Sequence, residues 1–205
     1  MTNEIAKNDI RKSVVQDMAD KFNMEREAFE AVIKQTVMPA KVAVKNEEFV
    51  AFLSVAKEYG LNPLTKEVYA FPAKGGGIMP IVSIDGWARI INDHDQYDGA
   101  QFEDIIEDGK IVAIKCTMYR KDRSQPINVT EYLSECSRPT EPWNKWPARM
   151  LRHKALIQAA RYAFGFSGIY DKDEAERINE VKDVTPKKEP KTMDLEDLVN
   201  ENGGE

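Results

Sequence analysis

The chain has 205 residues, of which 42% are hydrophobic and 31% charged, with a formal net charge of −6 and two cysteines. This composition is typical of a soluble globular protein, and no apolar run approaches the roughly 20 residues that a membrane span requires. Two cysteines do not form a disulfide framework, and the first residues lack the apolar stretch of a secretory signal, so we expect a reducing cytoplasm.

The charge is unevenly distributed along the chain. Residues 171–205 contain twelve acids and six bases, which accounts for the whole net charge, because residues 1–170 contain 23 of each sign. Within that neutral part, residues 92–109 contain seven acids and no Lys or Arg, whereas residues 138–161 contain six Lys or Arg and a single acid. One acidic and one basic patch indicate binding to a polyanion or to other copies of the chain.

The first part of the chain has the apolar periodicity of helices. This periodicity predicts amphipathic helices over residues 9–22 and 24–37, the second capped by Asn23. A third helix is predicted to begin at the cap residue Asn46 and to end before Gly60, which suits the position after a helix terminus.

The pattern then changes to that of strands. Residues 67–71 and 78–83 are short β-rich runs around a Lys-Gly-Gly-Gly turn, which predicts a β-hairpin, and Asp85 is expected to cap a short helix that ends near residue 91. Turn residues and β-rich runs further predict an antiparallel meander of three strands, over residues 102–106, 111–119 and 127–133.

A basic helix is predicted over residues 147–164, followed by a last helix over residues 172–181. Pro147 suits the first turn of the basic helix and Gly165 its exit, while Asp171 and Glu174 resemble a capping box for the last helix. A Pro/Lys linker and a short acidic tail follow and are expected to be disordered alone. The sequence therefore predicts an α+β core over residues 1–182, with a small antiparallel sheet and a hairpin packed against helices, and a flexible segment over 183–205.

The basic helix is the main candidate for a function. It is apolar nearly all round, so we expect it to be mostly buried, with its charges emerging into a groove or meeting acidic partners. Lys154 and Arg161 share one face, and Arg149, Arg152 and His153 form a neighbouring arc. Cations interleaved with aromatic residues suit a polyanion with flat bases; the aromatic residues are Trp143, Trp146, Tyr162, Phe164 and Phe166. The alternative is that these cations form internal salt bridges with the acids of residues 93–108.

Other kinds of site have weaker support. The glycines after Lys74 lack the G-K-[ST] sequence and the following helix of a phosphate-binding loop, and the two His and two Cys lack the spacing of a zinc site. Asp108-Gly109-Lys110 has the D-x-K spacing of a magnesium-dependent nuclease, although Asp-Gly is also ordinary turn chemistry. Two alternative functions therefore stay open: a metal-dependent nuclease, and a scaffold whose basic face binds an acidic protein.

Three long, gapless segments carry a resemblance to a known family: EYGLNPLTKEVYAFPAKGGGIMPIVSIDGWARIIND (58–93), YRKDRSQPINVTEYLSEC (119–136) and PWNKWPARMLRHKALIQAARYAFGFSGIYDKDEAERI (142–178). They closely resemble the phage Red-beta (Bet) family of single-strand annealing proteins. The resemblance implies a small sheet backed by helices, distantly like the Rad-fifty-two annealing domain. It also implies a recombination protein that is not an enzyme, needs neither ATP nor another cofactor, and anneals complementary single strands of DNA as a ring or helical filament in the cytoplasm of a bacterial host.

The resemblance also assigns residues to DNA binding. The basic DNA-contacting positions of the family fall on Lys66, Lys74, Lys121, Arg138, Arg149, Lys154, Arg161 and Lys172. Arg152, from the arc on the basic helix, completes the set of nine. Arg149, Lys154 and Arg161 follow from the charge pattern of the helix as well as from the resemblance.

The chain departs from the family pattern at three places. Ala148 stands where the resemblance leads us to expect a Lys, and the loop over residues 137–142 is shorter and less basic. Longer members carry a C-terminal helical domain that binds a phage exonuclease and the host single-strand-binding protein. Only the linker and the acidic tail follow residue 183 here, which puts those two partnerships in doubt.

Overall fold

The computed structural model describes residues 14–180 and has an α+β architecture, which confirms the predicted fold class. The first five residues of the predicted first helix, and the linker and tail predicted over 183–205, lie outside the described residues. Within residues 14–180 the chain forms eight helices, a two-stranded antiparallel sheet and a three-stranded antiparallel sheet. The predicted likeness to the Rad-fifty-two domain and the predicted domain boundary stay predictions.

Three helices, α1 (residues 14–21), α2 (Arg26–Thr36) and α3 (Asn46–Glu58), form the first part of the core. Phe29 and Ile33 of α2 are buried, as their helical spacing predicts. The predicted caps were wrong, because α2 begins after Glu25 and α3 after Lys45. The Lys45 backbone N–H donates to the Glu48 carboxylate (3.0 Å). This bond gives the backbone N–H of the cap residue of α3 a hydrogen-bond partner.

A hairpin of β1 (Val68–Pro72) and β2 (Ile78–Val82) follows and is joined to the helices at both of its edges. The Ala70 N–H donates to the Val37 carbonyl (2.8 Å), and the Val82 N–H donates to the Tyr170 carbonyl (2.8 Å). Because these bonds satisfy strand edges, they fix the hairpin between the end of α2 and the segment that enters the last helix.

Helix α4 (Ile84–Asn92) packs close behind the hairpin. Its cap is Ser83, whose Oγ accepts from the Gly86 N–H (3.2 Å), and not Asp85 as the sequence predicted. Either side chain has the oxygen that a cap needs, and the helix starts two residues earlier than predicted.

The meander consists of β3 (Tyr97–Glu107), β4 (Lys110–Arg120) and β5 (Ile127–Tyr132), in the order β3-β4-β5. The β3–β4 turn is Asp108-Gly109, and both residues have a positive φ (49° and 73°). The Asp-Gly pair therefore has the backbone conformation of a two-residue hairpin turn. Ile114, Cys116 and Met118 of β4 are completely buried. The central strand therefore supplies the apolar side of the sheet.

Four helices complete the described chain: α5 (Leu133–Cys136), α6 (Glu141–Lys145), α7 (Pro147–Phe164) and α8 (Lys172–Glu180). The predicted bounds of α7 are confirmed, and Gly165 ends it with a φ of 75°. The sequence did not predict α5 and α6, since helices of four or five residues are too short to show a periodicity. None of the helices described is both long and apolar enough to traverse a lipid bilayer.

The close packing of α4 generates a stability prediction. A Cβ added at Gly86 would lie 2.4 Å from the Glu67 carbonyl oxygen and 2.8 Å from Cγ1 of Val82. Because the nearest atom belongs to the backbone, Gly86→Ala should lower the free energy of unfolding by about 3 kcal/mol in urea denaturation. The control Ala88→Gly, on the same helix, should cost only about 1 kcal/mol. Equal stability of Gly86→Ala and the unmodified protein would contradict the packing of α4 described here.

Candidate nucleic-acid interface

Helix α7 is the element on which the candidate site is built. It lies across β4 and β5 and is buried along much of its surface; the buried residues are Leu151, Ala155, Ile157, Ala159, Ala160 and Ala163. The four alanines let the backbone of α7 approach its neighbours closely. As the sequence predicts, the charges of α7 are therefore confined to the few directions that the core does not occupy.

A row of adjoining cavities extends from the end of α2 and the hairpin, past α7, to the space between α7, α8 and β5. It consists of three cavities of about 500, 350 and 160 Å³, each of which shares lining residues with the next. Tyr69 and Ser83 line both the first and the second cavity, and Lys154 and Asp171 line both the second and the third. We call this row of cavities the α7–α8 groove. It brings together four of the nine predicted DNA-binding residues, Lys66, Lys154, Arg161 and Lys172.

Lys154, at the centre of the groove, is held by two carboxylates. Its ammonium group forms an ion pair with Asp171 and lies 3.1 Å from Oδ2 of Asp173. The Lys154 side chain is only 15% exposed, so water screens these pairs weakly. The Asp171 carboxylate also accepts from the Glu174 N–H (3.1 Å), as the predicted capping box requires. One positive charge thus faces two negative charges.

Arg161 and Arg138 are also paired with acids of α8. Arg161 forms two bonds of 2.7 Å to the Glu174 carboxylate and a third, also 2.7 Å, to the Ile169 carbonyl. Arg138 donates to both carboxylate oxygens of Glu180. Bidentate pairs of this kind are the strongest that an Arg makes with a carboxylate. They tie α8 to α7 and to the loop before α6.

Arg152 points away from the groove, toward the sheet. Its guanidinium donates to Asp104 (2.8 Å) and lies 5.5 Å from the centre of the Phe102 ring. The sequence left open that the cations of this helix form salt bridges with the acids of residues 93–108. Arg152 forms such a bridge, whereas Lys154 and Arg161 pair with acids that follow residue 170.

Three predicted residues have no carboxylate partner within residues 14–180. Lys66 lines one end of the groove, with a φ of 60°, and Lys121 donates to the Asp95 backbone carbonyl (3.0 Å). The Arg149 guanidinium lies 5.3 Å from the centre of the Trp146 ring.

Two further predicted residues lie at the surface. Lys74 is exposed at the hairpin turn, and Lys172 is 3.8 Å from Glu176. The positive charge available to a polyanion is therefore smaller than a count of Lys and Arg indicates.

The aromatic residues around α7 divide into buried and exposed groups. Trp143 is buried, and its indole N–H donates to Asp173 (3.0 Å). Phe164 and Phe166 pack against one another and against His94. Trp146 and Tyr162 are exposed. Of the five aromatic residues that the sequence offered for base contacts, these two present a ring to solvent.

Burial favours the uncharged forms of His153 and of the two cysteines, Cys116 and Cys136. Burial lowers the pKa of His153, and the charge of Arg149 lowers it further, against an opposing effect of Asp85, so the ring is neutral at pH 7. Burial raises the pKa of Cys136 to about 12, assisted by its hydrogen bond to Glu131, and that of Cys116 to about 11. Neither thiol is therefore a nucleophile at neutral pH. Residues 14–180 contain no group of three or more His, Cys, Asp or Glu side chains placed to hold a metal ion.

Sequence reasoning missed the acids that occupy the groove. It assigned Asp171 and Glu174 to a helix cap and made no use of Asp173, Glu176 or Glu180. The available signal was the run Asp171-Lys172-Asp173-Glu174, which places three acids directly after a helix that carries most of the basic excess. Opposite charges on consecutive helices joined by a short loop indicate pairing.

Two comparisons with known proteins identify the family of the chain. The model of the RecT family matches residues 22–186. The Recombination protein bet of Escherichia phage lambda is 51% identical over 168 residues, which cover 77% of this chain and 62% of that protein. The chain thus spans less than two thirds of the length of this relative. The resemblance to the phage Red-beta family is confirmed, and the chain belongs to the RecT family.

Proposed function

We propose that this chain binds single-stranded DNA and anneals complementary strands during phage recombination, without ATP, as an oligomer in the cytoplasm of a bacterial host. The observation that carries the proposal is the family match over residues 22–186, which includes all nine predicted DNA-binding residues, from Lys66 to Lys172. The groove along α7, with Lys66, Lys154, Arg161 and Lys172, supplies a physical path for a strand.

The ion pairs divide the predicted residues into two roles. Arg149, Lys66 and Lys121 have no carboxylate partner within the described chain and contact phosphates directly. Lys154 and Arg161 hold α8 against α7, and a phosphate reaches them only by displacing Asp171, Asp173 or Glu174. A phosphate accepts the same hydrogen bonds as these carboxylates, so the exchange replaces one ion pair with another.

Annealing on such a surface needs no covalent chemistry. Lys and Arg offset the repulsion between the phosphates of two strands, and repeated subunits hold the bases open to pairing. Correct pairing then contributes about 1.4 kcal/mol of stacking for each base step, which over many steps exceeds any single protein contact. Since phosphates carry no sequence information, the protein binds strands without regard to their sequence, and the pairing of bases selects the complementary strand.

The first prediction separates annealing from nuclease activity. Two complementary oligonucleotides with a fluorophore and a quencher should anneal faster with the protein, in EDTA and without nucleotide, because binding alone performs the reaction. The measurement is the rate of fluorescence quenching, with heat-denatured protein as the control. Annealing that vanishes in EDTA, or strands shortened on a gel when magnesium is present, would favour the nuclease alternative.

The second prediction concerns Arg149 and Lys154, two cations of the same helix. Arg149→Ala should weaken binding to a single-stranded oligonucleotide and reduce the slope of log affinity against log salt by about 0.7, because one phosphate contact is lost. Its free energy of unfolding should change by less than about 1 kcal/mol, since the side chain is exposed.

Lys154→Ala is the matched variant and should behave differently. It leaves Asp171 and Asp173 without their cation, so we expect the free energy of unfolding to fall by about 2–3 kcal/mol. Urea denaturation beside a salt titration measures both effects. A Lys154→Ala protein as stable as the unmodified one would show that these pairs do not hold α8, and an unchanged salt slope in Arg149→Ala would remove Arg149 from the interface.

A further inference from the structure

Trp146 differs from the other two tryptophans of the chain in its exposure. Trp87 is completely buried and Trp143 is 2% exposed, whereas Trp146 is 48% exposed. It stands directly before α7, and its backbone is fixed on both sides, by bonds from its N–H to the Pro142 carbonyl (2.8 Å) and from the Met150 N–H to its own carbonyl (3.1 Å). The indole is thus held by a rigid backbone while much of its surface meets water.

Two cations lie beside the exposed ring. The Arg149 guanidinium is 5.3 Å and the Lys145 ammonium 6.0 Å from the ring centre. Lys145 is also paired with Glu141, whereas Arg149 has no carboxylate partner among residues 14–180. An aromatic face beside an available guanidinium matches the two parts of a nucleotide, because a base stacks on the ring while its phosphate pairs with the cation.

The position of Trp146 relates it to the groove. Trp146, Met150 and His153 are spaced four and three residues apart, which places them along one side of α7. Met150 and His153 line the cavity of about 350 Å³ that also contains Lys154 and Lys172. Trp146 therefore lies at the N-terminal end of the side of α7 that lines this cavity, next to Arg149.

We propose that Trp146 is a base-stacking platform for single-stranded DNA, with Arg149 paired to the phosphate of the stacked nucleotide. The proposal rests on the proposed function, since it needs a strand in the α7–α8 groove. Duplex DNA offers no free base face except at its ends, so the platform favours the single strand over the annealed product. It thereby gives the protein a contact that is released as pairing proceeds.

Intrinsic fluorescence reports on this residue. Adding oligothymidine to the unmodified protein should quench the tryptophan emission, because Trp146 is the exposed one of the three tryptophans. Blunt duplex of the same length should quench it much less. Trp146→Phe should bind the oligonucleotide with nearly the same affinity and lose most of the quenching, since a phenyl ring still stacks and the two remaining indoles are buried.

Affinity measurements separate base stacking from charge. Trp146→Ala should weaken oligothymidine binding about fivefold or more, because a stacked base is lost, and should leave binding to an abasic oligonucleotide of equal length unchanged. Tyr162→Ala is the matched control: Tyr162 is 65% exposed on the same helix, and no cation of the described chain lies over its ring. It should bind both oligonucleotides as the unmodified protein does.

Each outcome supports or overturns the platform. Unmodified protein that binds oligothymidine without quenching, or Trp146→Ala that binds it with full affinity, overturns the stacking role and leaves the proposed function intact. Failure of the unmodified protein to bind any single strand overturns the proposed function instead. If Trp146→Ala changes the oligomer size in sedimentation without DNA, the indole belongs to an interface between copies, which also overturns the platform.

Discussion

The structure depends on the burial of α7. The strands β4 and β5 and the helices α4, α5 and α6 pack against it, and α8 is joined to it by ion pairs. Because α8 is short and polar, it contributes little apolar surface of its own. Ion pairs from Lys154 and Arg161 to its first turn hold it in place, in partly buried positions where such pairs are weakly screened.

This arrangement sets the electrostatics of the groove. Two of the cations in the groove, Lys154 and Arg161, are already paired with carboxylates, and around Lys154 the local charge is negative. A strand must therefore either bind the unpaired cations first or replace the carboxylates of α8. Under the proposed function, the free energy of strand binding is linked to the stability of the α7–α8 contact, because Lys154 and Arg161 take part in both. Under the same proposal, that link explains how an acidic chain binds a strand in a groove whose positive charge is exposed only in part.

Much of the fold could be predicted from the sequence, because its signals are local. The bounds of α7 follow from Pro147 and Gly165, and the β3–β4 turn follows from Asp108-Gly109, since each of these residues restricts its own backbone. The caps at Asn23, Asn46 and Asp85 were predicted wrongly, because several neighbouring residues could supply the same bond. The family resemblance was likewise readable from the sequence, since long gapless segments are specific.

The candidate site shows where prediction from sequence ends. The sequence by itself determined which residues are basic, that they concentrate on one helix, and that this helix is buried. Only the tertiary structure decided which of them are available to a ligand. Lys154 pairs with Asp171 across 17 residues, and Arg138 with Glu180 across 42, separations over which no periodicity or local propensity acts. The exposure of Trp146 and the burial of Trp143, three residues apart, were decided in the same way, because burial depends on elements that meet only when the chain has folded.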